Sequence, residues 1–239
     1  MAHQTQVTRR TPLSRARVLR AAVALADDTG IDSLSMRKLA QELGVVPMAL
    51  YKHIANKEEL LSGMVDVVVG EIGPPEPGVE WKAAVRQRIL AARRALLRHP
   101  WASRVIESRA APTPIVLAYM DSMIGMFRAG GFSVDLTHHV MHALGSRMFG
   151  FTQELFDAPQ GMDPQAPALD EMSARYPHIM EIAGANHDRH TVVGPGCDDQ
   201  FEFEFALDLL LEGFERLWRQ GWSSTDRPPS GAPVRGTAG

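Results

Sequence analysis

SMRKLAQELGVVPMALYKHIANKEEL, residues 35–60, decides the fold class. Ser35 stands where a helix N-cap belongs, ahead of an amphipathic run that Gly44 stops. Pro47 suits the first turn of the next helix, because its φ is preset and no N–H there needs a partner. Asn56 can cap a further helix running from 57 to about 71, with Glu58 and Glu59 in its first turn, where the helix dipole favours acids. Inside this frame Tyr51, Lys52 and His53 follow one another, which is not how a helix made only for packing is written. Leu50 and Ile54 are placed to face Leu39 and Leu43. Pro47, Met48, Ala49, Lys52 and His53 are left to face outward.

Helix, Gly-centred turn, helix, preceded by a supporting helix, is the helix-turn-helix plan. Its second helix fits a major groove about 12 Å wide. Met48 and Ala49 can offer apolar contact, most usefully to thymine methyls, and Tyr51 can send its hydroxyl to a phosphate. Lys52 and His53 are the polar candidates for base edges or phosphates. The start of the preceding helix, with Ser35, Met36 and Arg37 beside free amides, suits a phosphate, as does Lys57. A helical hairpin with incidental basic residues is the bland alternative.

Outward from this stretch, period-3.6 patterning dominates and strand signals are scarce, so the chain is expected to be all-α. Ser14 opens a first helix with Val18, Leu19, Ala22, Val23, Leu25 and Ala26 as its buried stripe, ending at Thr29 and Gly30. Residues 31–34 read as a turn. The run Gly73-Pro74-Pro75-Glu76-Pro77-Gly78 cannot continue a helix and is the clearest boundary. Helices resume over 81–98, near 102–107, over 114–129, from 133 to about 156, weakly over 169–184, and strongly over 199–220. The intervening 158–168 and the stretch to about 198 read as loops.

Residues 1–57 hold nine Lys/Arg against four Asp/Glu, while the remaining 182 hold sixteen against twenty-four. A basic end on an acidic body fits nucleic acid at that end. The single Cys197 excludes an internal disulfide and fits a reducing cytoplasm. No apolar run approaches the ~18 residues of a membrane span, and the N-terminus lacks the apolar middle of a signal peptide. No Gly-rich phosphate loop, G-x-S-x-G elbow or H-E-x-x-H occurs, so no catalytic residue and no cofactor are expected.

TGIDSLSMRKLAQELGVVPMALYKHIANKEELL, residues 29–61, resembles the DNA-binding domain of TetR/AcrR-family transcriptional regulators. WKAAVRQRILAARRALLRHPW, the AGGFS break at 129–133 and the final helix resemble the C-terminal domain of the tetracycline-repressor branch. By composition residues 1–11 read as a disordered basic arm and 223–239 as a disordered tail; the resemblance implies a helix-turn-helix domain (12–72) and a larger helical ligand-binding and dimerisation domain (79–222). It implies a homodimer on a palindromic double-stranded DNA operator, released by a small-molecule effector. An enzyme or small-molecule-binding protein with an ancillary helix-turn-helix, and an activator, remain the rival readings.

Met120, Met123, Ile124 and Phe127 recur at helical spacing, as do Val134, His138, Met141, His142, Gly145 and Phe149. Core packing is the ordinary reading of such stripes, and a pocket of soft, adaptable side chains is the sharper one. In the family the pocket lies between the corresponding helices, so these residues, Val134 apart, are ligand candidates. Positions matching the tetracycline repressor's drug and magnesium contacts fall on Gly73, Arg88, Ala92, about Ile106, and Met123. With mostly apolar groups and one cation there, the resemblance implies a largely apolar effector, with an anionic one left open, and adds Arg88 and Ala92 to the candidates. His138 with His142, and His187 with His190, have metal-ligand spacing but no clear third ligand, so no metal site is expected. In the last helix Phe201, Phe205, Leu209, Phe214, Leu217 and Trp218, widened by Phe203, Leu207, Leu210 and Leu211, make a face too broad for one neighbour. A partner subunit is its expected cover.

Overall fold

The computed structural model describes residues 12–109, 111–150, 174–178, 180–181 and 199–226, with 146–150 as backbone only. The expected arm, the loops at 158–168 and 184–198, Cys197, His187, His190, the Phe149 side chain and the tail beyond 226 lie outside the described residues. The described residues form nine α-helices of the lengths given below and no strand, in two compact units that meet in sequence between Phe127 and Arg128.

The first unit contains α1 (Arg15–Thr29), a 3-10 turn (Ile31–Ser33), α2 (Met36–Glu42), α3 (Pro47–Leu50) and α4 (Lys57–Gly70). It continues with α5 (Trp81–Arg98), α6 (Trp101–Glu107) and α7 (Pro114–Ala129), whose last two residues pass the boundary. Side-chain caps start the early helices as their sequences demand. Ser14 Oγ accepts from Arg17 N at 3.3 Å, Ser35 Oγ from Lys38 N at 3.2 Å, and Asn56 Oδ1 from Glu59 N at 2.8 Å. Glu59 returns the favour by accepting from Ala55 N at 2.7 Å, which closes the entry to α4 from both sides.

One apolar core joins α1 through α6. Val18, Ala22, Leu39, Leu50, Ile54, Leu60 and Met64 are buried, and Ala95, Trp101, Ala102 and Val105 belong to the same cluster. Each large aliphatic among them contributes roughly 1.5–3 kcal/mol of burial, an upper figure because the unfolded chain is itself partly collapsed. Helix α4 is the spine: it packs on α1, α5 and α6. Its approach to α1 depends on Gly63, where an added Cβ would lie 2.6 Å and 2.9 Å from the two Leu19 methyls. The compact unit therefore runs past the Gly/Pro break, because α5 and α6 close the core that α1 and α4 begin.

The second unit holds α8 (Val134–Gly150) and α9 (Asp199–Arg219). Phe132, Leu136, Val140, Leu144, Phe203, Leu207, Leu211 and Phe214 are buried, and the rings of Phe132 and Trp218 stack at 5.8 Å. Ser223–Asp226, read from composition as the start of a tail, instead carries a 3-10 turn. Asp135 holds it, accepting from Ser224 N at 2.6 Å, Ser224 Oγ at 2.8 Å and Ser223 Oγ at 3.1 Å. The Ser224 backbone N–H, with the two hydroxyls and nearby His139, keeps the Asp135 carboxyl below its ordinary pKa.

Candidate functional site

The reader helix begins at Pro47 but keeps α-helical form only to Leu50. Tyr51, Lys52 and His53 occupy the turn that follows, held by His53 N and Ile54 N donating to Leu50 O at 2.8 and 3.0 Å. Four helical residues have little intrinsic stability. What fixes α3 is burial of Leu50 at 0 % and Ile54 at 1 % exposure beneath it. Gly44 supplies the φ of +66° that the turn into it needs.

Met48 is 71 % and Val46 68 % exposed, large values for apolar side chains on a folded domain. Pro47, Tyr51, Lys52, Lys57, Ser35 and Arg37 are exposed as well, whereas Ala49, His53 and Met36 are half-buried. The ten residues expected to read DNA thus lie at α2 and its N-cap, on α3, in the turn after α3 and at the start of α4; of their apolar members Pro47 and Met48 are displayed, while Ala49 is half-buried and Met36 packs against the core. Such a surface offers methyl contact, hydrogen bonds and cations together.

The effector candidates divide by position. Arg88, Ala92, Met123 and Phe127 are buried on α5 and α7, while Met120 and Ile124 are exposed. At 3.6 residues per turn, 120 and 124 form one line on α7 and 123 and 127 a neighbouring line about 60° away. In the second unit His138 and His142 are exposed on α8, Met141 and Gly145 are half-buried, and the two imidazoles meet edge to face at 4.6 Å. No group of three metal-binding side chains occurs among the described residues.

Arg88 has a distinctive setting. Its Nη1 donates to Gly73 O, and its guanidinium carbon lies 4.7 Å from the Tyr119 ring centroid. Its Nε, the Tyr119 hydroxyl and the Ser122 hydroxyl are all buried without a hydrogen-bond partner. A cleft of about 400 Å³ opens beside it, lined by Ile72, Pro74, Glu76, Gln87, Arg88 and Arg94 among others. That volume is in the range of small-molecule sites.

A second polar cluster, around His99, ties the reader's supports together. His99 Nδ1 lies 2.9 and 3.0 Å from the Asp27 oxygens and Nε2 lies 3.2 Å from Glu71 Oε1. Trp101 Nε1 donates to Asp27 Oδ1 at 2.6 Å, and Arg98 Nη2 to Glu71 Oε2 at 2.5 Å. Asp27 is near the end of α1, Glu71 caps α4, and His99 and Trp101 make the α5–α6 corner. Burial works to raise the Glu71 carboxyl, but Arg98 and His99 outweigh it and hold it below its ordinary pKa. In the sequence His99 stands only just past the end of the helix expected over 81–98, and nothing there singles out Tyr119 or Ser122. The inward face of α7 was readable from its period, but which hydroxyls lack partners was not.

Two family descriptions match the chain: "Bacterial regulatory proteins, tetR family" over residues 18–64 and "Tetracyclin repressor-like, C-terminal domain" over 74–218. The HTH-type transcriptional repressor DrrR1 of Streptomyces coeruleorubidus is 30 % identical over 220 residues, covering 85 % of this chain and 78 % of that one. Apo ActR from Streptomyces coelicolor superposes with a TM-score of 0.66 at 25 % identity, over 89 % of this chain and 99 % of ActR. ActR has also been solved with actinorhodin. BioQ with its natural double-stranded DNA operator gives a TM-score of 0.58 at 26 % identity, over 86 % of this chain and 99 % of BioQ. The helix-turn-helix of α2 and α3, the wholly helical architecture and these matches lead to one conclusion: the chain belongs to the tetR family of bacterial regulatory proteins.

Proposed function

We propose that this protein is a ligand-responsive transcriptional repressor that binds a palindromic operator as a homodimer and leaves it when a small molecule occupies the C-terminal domain. The observation that carries the reading is the α2–α3 surface. Large apolar side chains and cations stand exposed there on a short helix whose inner face is fully buried. Repression is favoured over activation by the kinship with DrrR1, named a repressor, and ActR and BioQ, with their actinorhodin and operator complexes, support the two ligand classes.

Residues 12–72 serve as the reading domain and 79–222 as the effector and dimerisation domain. Among the described residues no helix is long and apolar enough to cross a membrane, which agrees with work on cytoplasmic DNA. The protein has no enzymatic role in this reading. On α9, Phe201, Phe205 and Leu209 stand 44 %, 54 % and 58 % exposed along one line. That line is the proposed contact with the second copy. Phe214 contributes less than the sequence pattern implied, since it is already buried in this single chain.

Binding by intact protein to a palindrome selected from the DNA flanking its gene tests the reading. Affinity should fall by about 10³ or more between roughly 50 and 200 mM salt, as released counterions require. Lys57→Ala should weaken all sequences alike, and Lys52→Ala should also relax base preference. Equal affinity for the palindrome and a scrambled duplex would falsify specific reading.

A further inference from the structure

We propose that the effector is an organic acid, clasped through its anionic oxygens by Arg88 on α5 and by Tyr119 and Ser122 on α7. The inference rests on the effector-site reading above and gives that site its ligand class.

Arg88 is only 8 % exposed, yet among the described residues its guanidinium has a single hydrogen-bonding partner, the Gly73 carbonyl. No carboxylate pairs with it among the described residues. Asp66 on α4 likewise has a buried oxygen, Oδ1, without a hydrogen bond. An isolated buried cation is among the least favourable arrangements in a protein interior, and burial lowers its affinity for the proton. Protein interiors pair almost all of their buried polar atoms, so three orphans on two neighbouring elements call for an explanation.

The three share one chemistry. The Nε–H of an arginine can only donate, and both hydroxyls can donate. Tyr119 lies against the guanidinium, and Ser122 follows it by one turn on the same inward face of α7. The Tyr119 hydroxyl, its pKa pushed up to about 12 by burial, keeps its proton at neutral pH. Three donors and a net positive charge fit an oxyanion. A neutral ligand would leave the charge uncompensated, and a cation would oppose it. On the same two helices Ala92, Met123 and Phe127 are buried apolar side chains, with the Trp81 and Phe127 rings 5.8 Å apart. Those surroundings favour one acidic group on an aromatic body over a phosphate or a sugar, which need more polar partners than the site holds.

Calorimetry with 2-naphthoate and 2-naphthamide separates charge from shape, since the two share ring system and size. The intact protein should bind the acid on the order of tenfold tighter than the amide. Arg88→Met should erase that preference and Tyr119→Phe should reduce it severalfold. Without ligand, Arg88→Met should melt no lower than wild type, because removing an uncompensated buried charge costs no stability; this also establishes that the variant folds. Equal binding of acid and amide, binding of neither, or a preference that survives Arg88→Met overturns the clasp. Operator release is read separately: an acid held through Arg88 that leaves operator affinity unchanged upholds the clasp and removes the effector role.

Discussion

Two polar side chains of the α5 region are buried to nearly the same degree, Arg88 at 8 % and His99 at 7 % exposure, and their surroundings are opposite. His99 offers both ring nitrogens to carboxylates of α1 and α4, with Trp101 and Arg98 completing the set. Arg88 meets one carbonyl and a ring face, beside two hydroxyls that bond nothing. Matched polar groups hold helices at fixed positions; unmatched ones carry a cost that a ligand can remove. The His99 corner is therefore architecture, while the Arg88 region is prepared for binding. The corner also joins α1 and α4, the reader's supports, to the end of α5.

The contrast can be broken most easily at His99. His99→Ala should lower stability by about 2–4 kcal/mol in urea denaturation, through lost packing and stranded partners. Arg88→Met should cost nothing by the same measurement, and similar losses at both positions would end the distinction. Next in size is the packing of the supports. Gly63→Ala should cost about 1–2 kcal/mol, because displacing the buried Leu19 outweighs the roughly 1 kcal/mol gained in helix propensity. Gly70→Ala, on the same helix with nothing within 4 Å of the new methyl, should instead gain about 0.5–1 kcal/mol.

The smallest effect is on pH dependence. Glu71 and Asp135 have pKa values depressed from 4.5 and 3.8, so their contributions are present above those values and lost as pH falls through the lower, folded-state ones. Stability should decline in acid from about pH 4.5 downward, and Glu71→Gln should make that decline shallower. A variant whose acid profile overlays wild type would remove Glu71 from the corner's energetics.

Much of the fold was legible because helix ends carry local chemistry. The bounds of α5 and α7 follow from Trp81 after the Gly/Pro break, His99-Pro100, Pro114, and the Gly130-Gly131 stop. The reader was legible for the same reason, with Ser35, Gly44, Pro47 and Asn56 punctuating α2, α3 and α4. Its exact extent was not, since only tertiary burial of Leu50 and Ile54 decides where so short a helix stops. The His99 corner was invisible because its partners lie 72 and 28 residues away and leave no periodic trace. On α7 the period placed Met123 and Phe127 but also gathered Met120 and Ile124, which the structure leaves exposed. Spacing alone separates neighbouring stripes poorly. Tyr119 and Ser122 became candidates only when their hydroxyls were found without partners.

In the proposed mechanism operator and effector compete through one protein, and linkage makes this measurable from the ligand side. The test is the affinity of the acid preferred by the wild-type protein, taken with and without saturating operator. The expected result is binding weakened on the order of a hundredfold by operator, a coupling of about 2.7 kcal/mol, because coupling between two sites is reciprocal. The same affinity in both conditions would contradict ligand-controlled release.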